Sequence, residues 1–238
     1  MQKWTSRIET PIKAELICYD VNGIHIVFGV TEENQLKLFH FSHAPFDAQN
    51  LCRKPDGVWM MEGMREAQVN FSGYNRPYEK HGNKYIVTAP GFMLKFDSIS
   101  EERNENGDLL RIVQSDDVTG AKVEFVMQFF DGIPVARMYN TVTNEGKEDQ
   151  TLEYISSFSY WGIEKEQKEG IPELVSSDDK MSMVVVHNGW QKELTVKKYR
   201  FADLGMAQTQ PHNYQRTSKT IEITNTGNWS AKEYVPMG

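Results

Sequence analysis

Carboxylates and histidines are the side chains of this 238-residue chain that could carry acid–base chemistry. Three adjacent acidic pairs, at 101–102, 116–117 and 178–179, come beside turn residues and are predicted to be solvated turns. His187 could exchange a proton with a glutamate at neutral pH. The sequence shows no Ser-His-Asp arrangement and no glycine-rich phosphate loop, so we assign no catalytic residue from these patterns.

Composition restricts the partners and cofactors. Cys18 and Cys52 lie in no Cys-x-x-Cys or Cys/His cluster, so we predict no metal site, no cofactor and two free thiols. A net charge of -7 with scattered Lys and Arg predicts no nucleic-acid partner. Because no apolar leader and no run of 18 apolar residues occurs, we also expect no membrane partner and a cytoplasmic location.

The hydrophobic pattern predicts the fold that must position these groups. Apolar residues alternate with period two between turn residues, which predicts an all-β, large antiparallel two-layer β-sandwich in one domain, 1–238. Segments 15–21 and 24–30 flank Asn22-Gly23, a hairpin signal. Further strands are predicted at 36–41, 65–71, 85–88, 92–96, 108–114, 122–130, 135–142, 152–161, 181–187, 194–201 and 220–224. One-turn helices are expected at 172–174 and 176–179, and Trp4 on a mobile N-terminus.

Two segments near the end of the chain carry a family resemblance. Residues 187–194 read H-N-G-W-Q-K-E-L, and residues 225–238 read N-T-G-N-W-S-A-K-E-Y-V-P-M-G. They resemble the H-N-x-W-x-x-E-L and N-T-G-x-W-S…Y-x-P-M-G signatures of α-galactosidases of glycoside hydrolase family 36. Six shorter pieces resemble the same family in order: L-R-I-V-Q, T-G, F-F-D-G-I-P-V-A-R, N-E-G, L-E-Y-I-S-S-F and F-A-D-L-G-M.

The resemblance implies a non-catalytic N-terminal supersandwich, related in architecture to the sugar mutarotases. In this family a catalytic (β/α)8 barrel follows, which we expect downstream of Gly238 and absent from this chain. The full-length enzyme would be a retaining hydrolase of terminal α-galactosides such as melibiose and raffinose. Its implied partners are its own barrel, further copies in a homo-oligomer, and the α-galactoside sugar.

Residue roles follow from the same resemblance. Candidates for the edge of the sugar site or for an interface are Trp59, on the long loop 44–64, together with Glu66, Arg76, His81, Asn83 and Lys84. The structural residues of the two signatures are His187, Asn188, Trp190, Glu193 and Trp229, with the His187 imidazole expected to satisfy a buried backbone group. The family nucleophile lies in a Lys-x-Asp-x-Asn context, and Lys95-Phe96-Asp97 lacks the Asn. Asp97 is therefore predicted to be a solvated aspartate at a strand end.

Two other functions stay open at this point. The chain could be a stand-alone carbohydrate-binding or scaffold β-sandwich. Less favoured is a sugar mutarotase, because shared architecture does not transfer function.

Overall fold

The structure is a computed structural model that describes residues 1–9, 12–48, 51, 64–74, 88–160, 182–189, 191–200, 203–204 and 223. In this part of the chain there are twelve strands and one five-residue helix. The predicted all-β fold class is thereby confirmed. The chain divides into two compact units, Met1–Ile163 and Glu164–Gly238. The assignment of 1–238 to a single domain stays a prediction.

Two four-stranded antiparallel sheets make up most of the first unit, and in each the strands lie side by side in chain order. The first sheet contains β1 (Gln2–Ile8), β2 (Ala14–Val21), β3 (Ile24–Thr31) and β4 (Leu36–Ser42). Next along the chain come the short strand β5 (Val69–Phe71) and the helix α1 (Ala89–Met93). The second sheet contains β6 (Lys95–Asn104), β7 (Gly107–Asp116), β8 (Ala121–Phe130) and β9 (Ile133–Asn144).

Two smaller antiparallel pairs complete the described elements. In the first unit β10 (Leu152–Ile155) pairs with β5. In the second unit β11 (Ser182–His187) pairs with β12 (Thr195–Arg200) as a hairpin. Among the described residues, no helix is long and apolar enough to cross a membrane.

Side chains from facing strands of the two large sheets meet in one hydrophobic core. Its members are at most 5% exposed and come from β2, β3, β4, β7 and β8: Tyr19, Val21, Ile24, Ile26, Phe28, Leu36, Leu38, Leu110, Ile112, Phe125, Met127 and Phe129. The ring of Phe158 lies 5.6 Å from that of Phe41 on β4 and 6.2 Å from that of Phe125 on β8. This face-to-face packing confirms the predicted two-layer sandwich.

The predicted hairpin at Asn22-Gly23 is confirmed. Asn22 has φ 53° and Gly23 φ 79°, the left-handed conformations that a two-residue hairpin turn requires. The Asn22 side-chain amide also donates to the carbonyls of Phe130 (2.7 Å) and Ile133 (3.0 Å). The turn of the first sheet is therefore bonded to the β8–β9 turn of the second.

The predicted strand at 92–96 is wrong, because a helical turn occupies its first half. The Thr88 hydroxyl accepts a hydrogen bond from Gly91 N (2.9 Å), which caps α1, and Pro90 fits the first turn of a helix. The strand β6 begins only at Lys95 and continues through Glu101 and Glu102. These two glutamates are solvated, as predicted, but they lie in a strand rather than a turn.

The N-terminus is a strand and not a mobile end. Trp4 lies opposite Cys18 in the β1–β2 pairing, and the terminal amine forms an ion pair with Asp108 (2.6 Å). Few apolar residues mark β1 because its side chains are almost all exposed. Most of the predicted strands 85–88 and 220–224, and the predicted helices 172–174 and 176–179, lie outside the described residues. Thr88 is described, and it caps α1 rather than ending a strand.

The backbone of Gly29 in β3 lies so close to an aromatic ring that no side chain fits at this position. A methyl group at this position would overlap the buried ring of Phe39 on β4. We expect Gly29→Ala to lower the free energy of unfolding by about 1–3 kcal/mol, the usual cost of overfilling a core. Urea denaturation measures the change.

The matched control is Gly189→Ala, since a methyl group there meets no atom within 4 Å. It should change the free energy of unfolding by less than about 0.5 kcal/mol. Equal effects of the two substitutions would contradict the assigned packing of Gly29 against Phe39.

Candidate functional site

The structure describes one of the six residues predicted to line a sugar site or an interface. That residue is Glu66. The other five lie outside the described residues: Trp59, Arg76, His81, Asn83 and Lys84.

Glu66 lies at a bend in residues 64–71, of which Val69–Phe71 form the strand β5, so the predicted strand 65–71 is shorter than expected. Backbone hydrogen bonds attach this segment to β4 and to residue 159. Met64 O accepts from Leu38 N on β4 (2.9 Å), and Glu66 O accepts from Ser159 N (2.9 Å). The segment ends in β5, which pairs with β10. Alternate side chains at 67, 69 and 71 pack against Leu94, Ala121 and Val123, so the intervening positions carry the polar side chains.

The carboxyl group of Glu66 is 0% exposed. Its Oε1 accepts a hydrogen bond from Gln114 Nε2 on β7. Burial raises the pKa of Glu66 to about 7, against the opposing effects of its own backbone amide, Arg65, Gln114 and Lys37. Desolvation disfavours the charged form of any buried acid, and here it outweighs two nearby cations.

Arg65 and Lys37 are also buried, each 1% exposed. The Arg65 guanidinium donates from Nη1 to Leu94 O (3.1 Å) and from Nη2 to Phe92 O (2.8 Å). It also lies 6.0 Å from the centre of the Phe92 ring. Arg65 thus binds the carbonyls at the end of α1, which have no partner within the helix.

Gln68 connects the same segment to the start of α1. Its side-chain carbonyl accepts from Thr88 N (3.0 Å), and its backbone N donates to Ser156 Oγ (2.8 Å). Ser156 N in turn donates to Gln68 O (2.9 Å). We name the buried polar side chains of Lys37, Arg65, Glu66, Gln68 and Gln114 the Glu66 cluster.

The burial of the Glu66 cluster decides what it can do. A carboxyl with a pKa near 7 suits proton transfer, but a general acid or base must reach the reacting group. Glu66 has no exposed surface, and its described contacts are internal. The cluster is therefore suited to positioning residues 64–71. Four of the other predicted sugar-site residues, Arg76, His81, Asn83 and Lys84, follow this segment along the chain, and Trp59 precedes it. A role for Glu66 at a sugar site or interface stays a prediction.

The structure also describes two other carboxylates considered in the sequence analysis, Asp97 and Asp116. Asp97 is exposed in β6, as predicted for a solvated aspartate. Asp116 is 6% exposed rather than solvated, which corrects the prediction for that residue, whereas its neighbour Asp117 is exposed as predicted. It accepts from Thr119 N (2.8 Å) and Thr119 Oγ1 (2.6 Å), so it closes its own turn. No group of three or more potential metal ligands occurs within the described ranges.

In the second unit, the H-N-x-W-x-x-E-L segment closes the β11–β12 hairpin. The His187 imidazole hydrogen-bonds the Tyr199 hydroxyl (2.7 Å), a partner that the sequence did not suggest. Asn188 Oδ1 accepts from Leu194 N (3.4 Å), and Glu193 Oε1 accepts from Gln191 N (3.2 Å). These contacts fit a structural role for the motif. Its Trp190, and Trp229 of the second signature, lie outside the described residues.

Sequence reasoning missed four members of the Glu66 cluster: Lys37, Arg65, Gln68 and Gln114. Gln114 had a signal, since it continues the alternation of the buried Leu110 and Ile112 along β7. Lys37 and Arg65 had none, because long cationic side chains are rarely buried. Their burial depends on neighbours that are distant in the chain.

Arg65→Met should lower the free energy of unfolding by about 1–3 kcal/mol, the cost of leaving a buried carbonyl without its donor. Leu94 O loses the Arg65 bond, whereas Phe92 O keeps a second donor in Gln35 Nε2 (3.1 Å). Chemical denaturation measures the loss.

Arg7→Met serves as the control, because Arg7 forms only exposed ion pairs with Glu9 and Glu15. Such exposed pairs contribute little to stability. If Arg65→Met were no more destabilising than Arg7→Met, the buried guanidinium would have no structural role.

Comparison of the chain with protein-family models and with curated proteins found no match.

Proposed function

We propose that this chain is the non-catalytic N-terminal β-sandwich region of an α-galactosidase. The full-length enzyme would hydrolyse terminal α-galactosides such as melibiose and raffinose on a downstream (β/α)8 barrel. The observation that carries the proposal is the order of the motifs. Six short segments and two longer signatures follow one another along the chain in the order expected for glycoside hydrolase family 36. An all-β sandwich, which such a region requires, supports it.

Two of these segments, which are distant in the chain, belong to one feature of the fold, and this supports the proposal. Although at least 24 positions separate them in the chain, the two segments are in contact: Thr119-Gly120 and Asn144-Glu145-Gly146. Glu145 N donates to Gly120 O (2.7 Å), and a methyl group on Gly120 would overlap the backbone of Gly146. A glycine is therefore required at position 120, where the backbone of Gly146 approaches, and the two segments form one contact.

The positions of the carboxylates favour a supporting role over a catalytic one. A retaining glycosidase needs two carboxyl groups about 5 Å apart at the sugar. Of the carboxylates considered, Glu66 is enclosed by its own cluster, Asp116 closes a turn and Asp97 lies exposed on a strand. We therefore assign the chemistry to the proposed barrel.

The proposed partners and location follow from the same assignment. The region would pack against its own barrel, support a cytoplasmic homo-oligomer and contribute to the edge of the sugar site through the segment after residue 74. The net charge of -7 supports a neutral sugar rather than a polyanion as the ligand.

We expect the 238-residue chain to show no turnover of an aryl α-galactoside, and the natural polypeptide that contains it to hydrolyse the same substrate. A chromogenic assay of both proteins at equal molar concentration measures this. Asp97→Asn in the 238-residue chain is the control for an unrecognised active site.

Turnover by the 238-residue chain that Asp97→Asn abolishes would overturn the non-catalytic assignment. If the natural polypeptide has no α-galactosidase activity and the chain alone binds melibiose or raffinose in calorimetry, the stand-alone binding module replaces the proposal.

A further inference from the structure

Two oxygen atoms of the hydrogen-bonded side chains Glu66 and Gln114 are buried without a described partner. Glu66 Oε1 accepts from Gln114 Nε2, whereas Glu66 Oε2 and Gln114 Oε1 are enclosed and have no hydrogen-bond partner among the described residues. Both side chains are at most 1% exposed. Buried polar atoms without partners are rare in native proteins and call for a physical explanation.

The chemistry of the two groups limits that explanation. An ionised carboxylate only accepts hydrogen bonds, and so does an amide oxygen. With Glu66 ionised, neither Glu66 Oε2 nor Gln114 Oε1 can donate a hydrogen bond to the other. A protonated carboxyl carries an O–H donor, so a single proton on Oε2 gives both oxygens a partner.

We propose that Glu66 holds a proton on Oε2 in the folded protein and donates it to Gln114 Oε1. Together with the bond from Gln114 Nε2 to Glu66 Oε1, this forms a reciprocal acid–amide pair with two hydrogen bonds. The pair joins residues 64–71 to β7 and makes their attachment dependent on pH. The proton comes from water, and no bond other than O–H forms or breaks.

The cations near Glu66 favour its ionised form, and the complete burial of the carboxyl favours its protonated form more strongly. Lys37 on β4 and Arg65 in the same segment lower the pKa of Glu66, and complete burial raises it more. Arg65 directs two of its nitrogens to the carbonyls of Phe92 and Leu94. The donor that the carboxyl uses on β7 is the neutral amide of Gln114.

The sign of the pH effect follows from proton linkage. The folded protein holds the proton up to about pH 7, whereas the usual pKa of a glutamate is 4.5. Between these values the unfolded chain binds fewer protons, so stability falls as pH rises. The contribution of the pair is complete below about pH 4.5 and is lost as the pH passes through about 7.

The decisive variant is Glu66→Gln, which keeps the shape and both hydrogen bonds because its amide N–H replaces the carboxyl O–H. We expect the unfolding equilibrium of the wild type, relative to Glu66→Gln, to shift by up to tenfold per pH unit between about pH 5 and 7. Urea denaturation across this range measures the shift. Glu105→Gln, at an exposed glutamate, should follow the wild type.

A spectroscopic measurement keeps the proposal testable if Glu66→Gln does not fold. In the wild type labelled with ¹³C glutamate, the side-chain carboxyl resonance of Glu66 should titrate with a midpoint near pH 7. Hydrogen exchange in residues 64–71 should be faster at pH 8.5 than at pH 6 after correction for the intrinsic rates.

Identical pH profiles of the wild type and Glu66→Gln would overturn the proposal. So would a Glu66 resonance that titrates at or below pH 4.5. That result would mean an ionised carboxylate, with a buried water molecule donating to the two oxygens in place of the proton.

Discussion

The packing of two four-stranded sheets face to face is the constraint on which the rest of the first unit depends. Every second residue of the facing strands must be apolar for the core to form, and the buried rows of β3 and β8 satisfy this. Because the inner faces of both sheets are apolar, buried polar side chains can be accommodated only at the margin of the core. Residues 64–71 lie at such a margin, packing Val69 against Val123 on one face and directing Glu66 to Gln114 on the other.

The buried polar groups at this margin hold residues 64–71 in one position. Apolar contacts tolerate small shifts, whereas a buried donor without its acceptor is costly. Glu66, Gln68 and Arg65 each bond a different neighbour: β7, the start of α1 and its end. The segment is therefore fixed in one register relative to the second sheet. Such a fixed support suits the role proposed for the chain, in which the sequence after residue 74 meets a sugar or another domain.

Much of the fold was predictable because its signals are local. The alternation of β7 and β8 and the Asn22-Gly23 turn can be read within ten residues. The helix α1 was missed because its capping residue Thr88 was assigned to a strand at 85–88 and its last residues, Phe92 and Met93, to a strand at 92–96. The Glu66 cluster could not be predicted as a unit, because alternation marks Gln114 as inward-facing but does not show that it meets Glu66, 48 positions away in the chain. The family resemblance supplied roles for residues, and those roles stay predictions.

Native-state hydrogen exchange tests most directly whether the two sheets share one core. The most protected amides of β3 and of β8 should exchange with the same free energy, equal to that of global unfolding, because neither sheet can keep its inner face buried without the other. A first sheet that exchanges at a free energy lower by about 2 kcal/mol or more, while β8 stays protected, would contradict this account.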